Sequence, residues 1–193
     1  MSNDNRLDLT AFSERIATLR THVADNVVGQ SLPVHLLLTA LMADGHVLLE
    51  GVPGVAKTLL AKTLARLVRA DFRRVQFTPD LMPTDVLGTS IFNLGTQQFD
   101  FHPGPVFTQV LLVDEINRAP AKTQAALFEV MEERQVTLDG NTRKLDPCYL
   151  VIATQNPVEQ EGTYRLPEAQ LDRFLLKVEM GYPTPEEELE ILN

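Results

Sequence analysis

Residues 51–58 read Gly-Val-Pro-Gly-Val-Ala-Lys-Thr and follow the apolar run His46-Val47-Leu48-Leu49-Glu50. A strand feeding a loop of small residues, with a lysine opening the next helix, suits the binding of phosphate. Small residues let backbone N–H groups turn inward, the lysine adds a point charge for the outer phosphates, and a following hydroxyl can ligate Mg²⁺. The helix adds the positive end of its dipole under the same anion. The candidate phosphate-binding residues are therefore Gly51, Val52, Pro53, Gly54, Val55, Ala56, Lys57, Thr58 and Leu59, with Thr58 also a candidate metal ligand.

The general pattern G-x-x-x-x-G-K-[ST] carries glycine where this chain has Ala56. Alanine resists positive φ, so Ala56 is expected at negative φ near the helix start, and a left-handed Ala56 would contradict this reading of the loop. An ordinary Gly-Pro-Gly turn is the bland alternative. Against it stands the helix that follows, where Leu59, Leu60, Leu64, Leu67 and Val68 recur at helical spacing.

Downstream, Val110–Val113 is a short, wholly apolar segment that ends in Asp114-Glu115. At a strand end beside a phosphate loop, Asp114 can hold Mg²⁺ and Glu115 can orient and deprotonate an attacking water. Alone, the pair would read as solvated carboxylates. Asn156 follows the apolar segment Tyr149–Ala153 by a short turn, where its amide could hydrogen-bond that water or a terminal phosphate oxygen. Arg173, in Leu171-Asp172-Arg173-Phe174, reads either as a helix-terminal arginine paired with Asp172 or a backbone carbonyl, or as an arginine finger reaching the γ-phosphate of a neighbouring subunit. Arg165 and Arg118 are secondary candidates for that role.

These residues need elements to position them. Phe12, Ile16, Leu19 and Val23 mark one face of an N-terminal helix that ends at Asp25-Asn26. Ser31 can cap a second helix that stops at Asp44-Gly45. Strands are expected at 46–50, 73–77, 110–113, 149–153 and 175–178, helices at 121–134 and 167–172, an irregular segment at 78–85, and a turn at 102–105. A final helix should open at Pro185. Two hairpins are expected, at 89–93 with 97–101 and at 135–138 with 143–145, the latter turning through Asp139-Gly140-Asn141. Apolar strands without alternation, separated by helices, make an α/β fold whose parallel sheet is covered on both faces. Ligands of such sheets sit at the carboxyl ends of the strands, where the loop, Asp114-Glu115 and Thr154-Gln155-Asn156 all fall.

Composition narrows the class. A chain of 193 residues, 44% apolar and 22% charged, has the length of about one soluble domain. No apolar stretch approaches the roughly 20 residues that span a bilayer, so membrane insertion is not expected. The N-terminus lacks a signal-like segment. The single cysteine, Cys148, fits a reducing cytoplasm and is expected to be buried. A net charge of −9 counts against a nucleic-acid partner.

The chain resembles the MoxR family of AAA+ ATPases. The matching segments are Val28-Gly29-Gln30, residues 51–58, Gln76-Phe77-Thr78-Pro79-Asp80-Leu81, Asp114-Glu115-Ile116-Asn117-Arg118-Ala119, Ala153-Thr154-Gln155-Asn156-Pro157, Glu161-Gly162-Thr163-Tyr164 and residues 166–174. The resemblance implies a P-loop NTPase core of AAA+ type over 27–193, with an N-terminal helix over 1–26 packed on it. The core would hold a five-stranded parallel sheet and two inserted β-hairpins. It implies ATP and Mg²⁺ as cofactors, with Walker A at Lys57 and Thr58, Walker B at Asp114 and Glu115, sensor 1 at Asn156, a finger at Arg173, and Val28 and Gly29 lining the adenine. Alanine at position 56 is itself a family trait. The resemblance also implies ring assembly, commonly of six subunits, and chaperone-like remodelling of client protein complexes, often alongside proteins bearing a von Willebrand factor A domain. In two places the chain departs from the family. Arg165 stands where proline is expected, and the chain ends at Asn193 where the helical lid would follow, so the lid is expected to be absent or only begun. A non-catalytic nucleotide-binding or oligomerisation module is the alternative reading.

Overall fold

Three central strands whose middles are apolar on both faces can be satisfied only by helices above and below them. The computed structural model, which describes residues 9–24, 29–52, 54–156, 164, 166–182, 184, 185, 187 and 189, has that arrangement. The elements run α1 (Leu9–Ala24), α2 (Ser31–Met42), β1 (Val47–Gly51), α3 (Lys57–Leu67), β2 (Phe72–Gln76), α4 (Pro83–Leu87), β3 (Gly88–Asn93), β4 (Gln98–Pro103), β5 (Val110–Asp114), a 3₁₀ turn (Ile116–Arg118), α5 (Ala121–Glu133), β6 (Gln135–Leu138), β7 (Asn141–Lys144), β8 (Leu150–Gln155), α6 (Glu168–Leu171) and β9 (Leu176–Met180). The main sheet has the order β2-β5-β8-β1-β9, and every neighbouring pair in it is parallel.

Alternation within each strand divides the core into two layers. Val47 and Leu49 of β1, Val110 and Leu112 of β5, and Leu150 and Ile152 of β8 pack with α2 and α3. Their neighbours Leu48, Leu111, Val113, Val151 and Ala153 pack on the other face with Leu127, Phe128 and Met131 of α5. This two-sided burial explains the uninterrupted apolar runs in the sequence. Gly51 ends β1 beside Met180 of β9, where a Cβ would lie 2.5 Å from the Met180 carbonyl oxygen. The absent side chain lets the last strand close against the first.

Both hairpins form, with shifted ends: Asn141, expected in the turn, opens β7. In the second, Asp139 (φ 53°) and Gly140 (φ 73°) make a two-residue turn between paired Leu138 and Asn141, the geometry that Asp-Gly favours. In the first, β4 continues through His102 and Pro103, which were expected in a turn. Three local expectations fail. Ser31 is the first helical residue of α2, and its N-cap is Gln30. Residues 83–87 form a turn of helix that was read as irregular; Pro83 supplies a preset φ, and Asp85 accepts a hydrogen bond from the Met82 N–H at 2.8 Å. Cys148 is exposed, because it lies in a turn where its N–H donates to Asp146 before β8 begins. The predicted helix end at Asp25-Asn26 lies outside the described residues, as do Val28, Pro53 and Arg165. Among the described residues no helix is long and apolar enough to cross a membrane.

His46 sits at the amino-terminal end of β1 and is buried. Its Nδ1 accepts the Val151 N–H at 3.1 Å, its Nε2 lies 3.3 Å from the Met131 carbonyl oxygen, and its ring meets Tyr149 edge-on. Burial above all pushes its pKa down to about 4. The folded state thus refuses a proton that the unfolded chain accepts near pH 6.5, so the stability His46 contributes is present above pH 6.5 and lost as pH falls through 4. Urea unfolding should show about 3 kcal/mol of this loss between those limits. A His46→Gln variant should show a shallower acid dependence. An equally steep one would mean that His46 titrates normally.

Candidate functional site

Parallel register sets the site. Gln76 pairs with Asp114, Val113 with Ala153 and Glu50 with Gln155, so the carboxyl ends of β2, β5, β8 and β1 lie side by side. A cavity of about 420 Å³ opens there, lined by Gly54, Val55, Ala56, Lys57, Thr58, Leu59, Arg74, Gln76, Asp114, Glu115, Thr154 and Asn156. Lys57, Thr58, Asp114, Glu115 and Asn156, drawn from separate stretches of chain, are thereby brought together.

The phosphate loop turns through Gly54 (φ 89°) and Ala56 (φ 59°, ψ 23°). Ala56 is left-handed, which contradicts the expectation of negative φ and corrects the reading of the loop at this position. Tertiary structure overrides residue preference here. The chain must turn from β1 into α3 between Gly51 and Lys57, while Val55 is buried in the core and Leu60, Ala61 and Leu64 anchor the first turns of α3 beneath the sheet. The strain is about 1–2 kcal/mol for an L-residue. No side chain caps the helix that starts at Lys57. The Lys57 ammonium donates to the Gly51 carbonyl oxygen at 2.5 Å. Burial pushes its pKa down, and the carboxylates of Asp114, Glu115 and Glu50 oppose that shift.

Asp114 ends β5 and is buried. Its Oδ1 accepts the Thr154 hydroxyl at 3.1 Å, and its Oδ2 accepts Arg74 Nε at 2.5 Å. Thr154 in turn accepts the Glu115 N–H at 3.0 Å, so one hydroxyl of β8 positions both acidic residues. Glu115 is left-handed (φ 56°), and its Oε2 is 3.1 Å from Arg118 Nη1. Arg118, a secondary candidate for the finger, pairs with Glu115 of its own chain. Among the described residues no cluster of three or more His, Cys, Asp or Glu could hold a metal ion alone. The donors present are the Thr58 hydroxyl and the Asp114 carboxylate. Such a set suits Mg²⁺, which usually takes one or two protein oxygens and completes its shell with phosphate and water.

Arg173 lies elsewhere. It pairs with Glu132 at 2.5 Å, not with Asp172, and borders a second cavity of about 540 Å³ that includes His46, Arg134 and Leu175. That cavity is at the amino-terminal end of the sheet, so the five residues of β1 (about 16 Å) separate it from the phosphate loop. Of the two residues expected near adenine, Gly29 has φ 76°; Val28, like Pro53 of the loop, is outside the described residues. Thr154 was placed from sequence at the right strand end but given no role, and Arg74 and Gln76 were not singled out as site residues.

Residues 46–176 match the family model described as "ATPase family associated with various cellular activities (AAA)". The chain is 58% identical over 166 residues to "Chaperone MoxR1" of Mycobacterium tuberculosis, an alignment covering 86% of this chain and 44% of that protein. It is 38% identical over 181 residues to "Protein MoxR" of Methylorubrum extorquens, covering 91% and 52%. The chain belongs to the MoxR family of AAA+ ATPases. A crystal structure of a candidate ATPase from Cytophaga hutchinsonii superposes with a TM-score of 0.80 at 48% identity, over 97% of this chain and 59% of that one. The chain spans about half the length of the curated MoxR relatives it matches.

The Ala56 conformation predicts an asymmetric mutational response. Ala56→Gly should leave stability within about 1 kcal/mol of wild type or raise it, because relief of left-handed strain offsets the entropy glycine adds to the unfolded chain. Ala56→Val should lower both stability and nucleotide affinity. Loss of well over 1 kcal/mol in the glycine variant, measured by denaturant unfolding, would show that residue 56 is not left-handed.

Proposed function

We propose that this chain is the nucleotide-binding core of a MoxR-type remodelling ATPase that binds ATP with Mg²⁺ and hydrolyses it. The observation that carries the reading is that Lys57, Thr58, Asp114, Glu115 and Asn156 line one cavity at the strand ends. In it, residues 51–59 would cradle the phosphates, with the Lys57 ammonium moving from the Gly51 carbonyl to the outer phosphates. Val28 and Gly29 would lie against the adenine. Thr58 and Asp114 would hold Mg²⁺, whose chemistry is to neutralise charge on the phosphate oxygens. Asn156 would orient the attacking water, and Glu115 would take its proton as general base. The Glu115–Arg118 ion pair has to open for that step, so that the Glu115 carboxylate can face the water.

Arg173 fits this scheme only in trans. Lying at the far end of the sheet from its own phosphate loop, it would serve the nucleotide of a neighbouring subunit, and this ties turnover to a ring of subunits, six by family habit. The client is then a protein complex, with von Willebrand factor A domain proteins as the favoured class, and the place of action is the cytoplasm. The chaperone named among the relatives supports this direction. The N-terminal segment 1–26 is proposed as a helix packed on the core at 27–193, a reading supported by contacts of α1 with α2 and α3.

Glu115→Gln should bind ATP normally and lose about 10²–10⁴-fold in turnover, measured by phosphate release against equilibrium ATP binding. Turnover at the wild-type rate would remove Glu115 from its role. A wild-type chain that binds ATP yet never turns it over, at any protein concentration, would favour the nucleotide-binding module instead.

A further inference from the structure

The site contains a cation that neither the loop nor the acidic pair accounts for. Arg74 lies on β2, one of the two edge strands of the sheet, and its Nε meets Asp114 Oδ2 at 2.5 Å. Its Nη2 donates to Gln76 Oε1 at 3.0 Å. The two partners are unequally exposed: the Arg74 side chain is 50% exposed and that of Asp114 11%. Arg74 also borders the cavity that contains Lys57 and Thr58.

We propose that Arg74 is an exchangeable counter-ion for Asp114: it neutralises the carboxylate when no metal is bound, then turns its guanidinium to the nucleotide's phosphates. The inference rests on the reading of Asp114 as a metal ligand. A buried carboxylate needs a partner, and Thr154 supplies only a neutral hydroxyl. Arg74 adds the opposite charge, on the oxygen that Thr154 leaves open. A divalent cation approaching Asp114 meets this guanidinium as a like charge in the same cavity, so the two compete. Arg74 can yield cheaply, because half its side chain is in water and its planar fork has further N–H groups suited to phosphate. Arg73, its neighbour, cannot take this part: its Nη1 donates to the Gly104 carbonyl at 3.2 Å.

A purely structural role for Arg74 predicts the opposite sign. If it only aligned Asp114, its removal would weaken metal binding. Competition predicts that Arg74→Gln strengthens the binding of Mn²⁺ alone, followed by electron paramagnetic resonance, by about tenfold. The same variant should bind ATP in EDTA about tenfold more weakly, having lost a charged phosphate partner. Arg74→Lys, which keeps the charge without the planar fork, should lie between wild type and Arg74→Gln in both titrations. Circular dichroism and unfolding of the variants confirm that the fold is kept. Mn²⁺ affinity unchanged or reduced in Arg74→Gln overturns the proposal. Asp114→Asn separates this failure from failure of the underlying reading. If that variant binds Mn²⁺ as wild type does, Asp114 is not a metal ligand, and the inference falls with it.

Discussion

A carboxylate buried at the end of a central strand must be compensated, and in this molecule its compensation organises the site. Asp114 is the last residue of β5 and takes one partner from each flanking strand, Thr154 of β8 and Arg74 of β2. The three strand ends are fixed side by side by parallel register and then tied by these polar contacts. Glu115 is drawn in as well, through its N–H to Thr154. The phosphate loop of β1 and Asn156 complete the same cavity. Stitched in this way, the carboxyl end of the sheet presents one ordered polar surface.

Charge balance constrains the same site. The chain carries a net charge of −9, so an anionic ligand depends on cations placed locally. Near the cavity the cations are already engaged: Lys57 with the Gly51 carbonyl, Arg74 with Asp114, Arg118 with Glu115. At the opposite end Arg173 is likewise held by Glu132. Binding therefore means exchanging partners within a nearly satisfied network, which is less costly than burying a bare charge.

Much of the fold was legible in the sequence because it follows from burial. The apolar runs at 110–113 and 149–153 do not alternate, and the structure places successive residues of each in opposite core layers. The Asp-Gly turn at 139–140 was legible for an equally local reason, the positive φ it requires. What failed depends on long-range geometry. Ala56 adopts a conformation its type resists, imposed by buried neighbours on both sides. Cys148 looked like a strand-edge core residue, but β8 begins at Leu150 and leaves it in the turn. Arg74 gave no sign of its role, since within the strand expected at 73–77 nothing points to Asp114 until register brings Gln76 beside it. Arg173 was visible as a candidate, but its partner Glu132 lies on α5, forty-odd residues away, and no sequence spacing reveals that pairing.

The central claim is that one ligand is gripped where these strands end. A crystal structure of the protein with Mg²⁺ and a non-hydrolysable ATP analogue tests it most directly. The account predicts Lys57 Nζ released from the Gly51 carbonyl onto the outer phosphates, with Asp114 on the metal side and the Asn156 amide facing the terminal phosphate. A nucleotide bound elsewhere, or phosphates in the loop with Lys57 still on Gly51 and Asp114 out of reach, would contradict it.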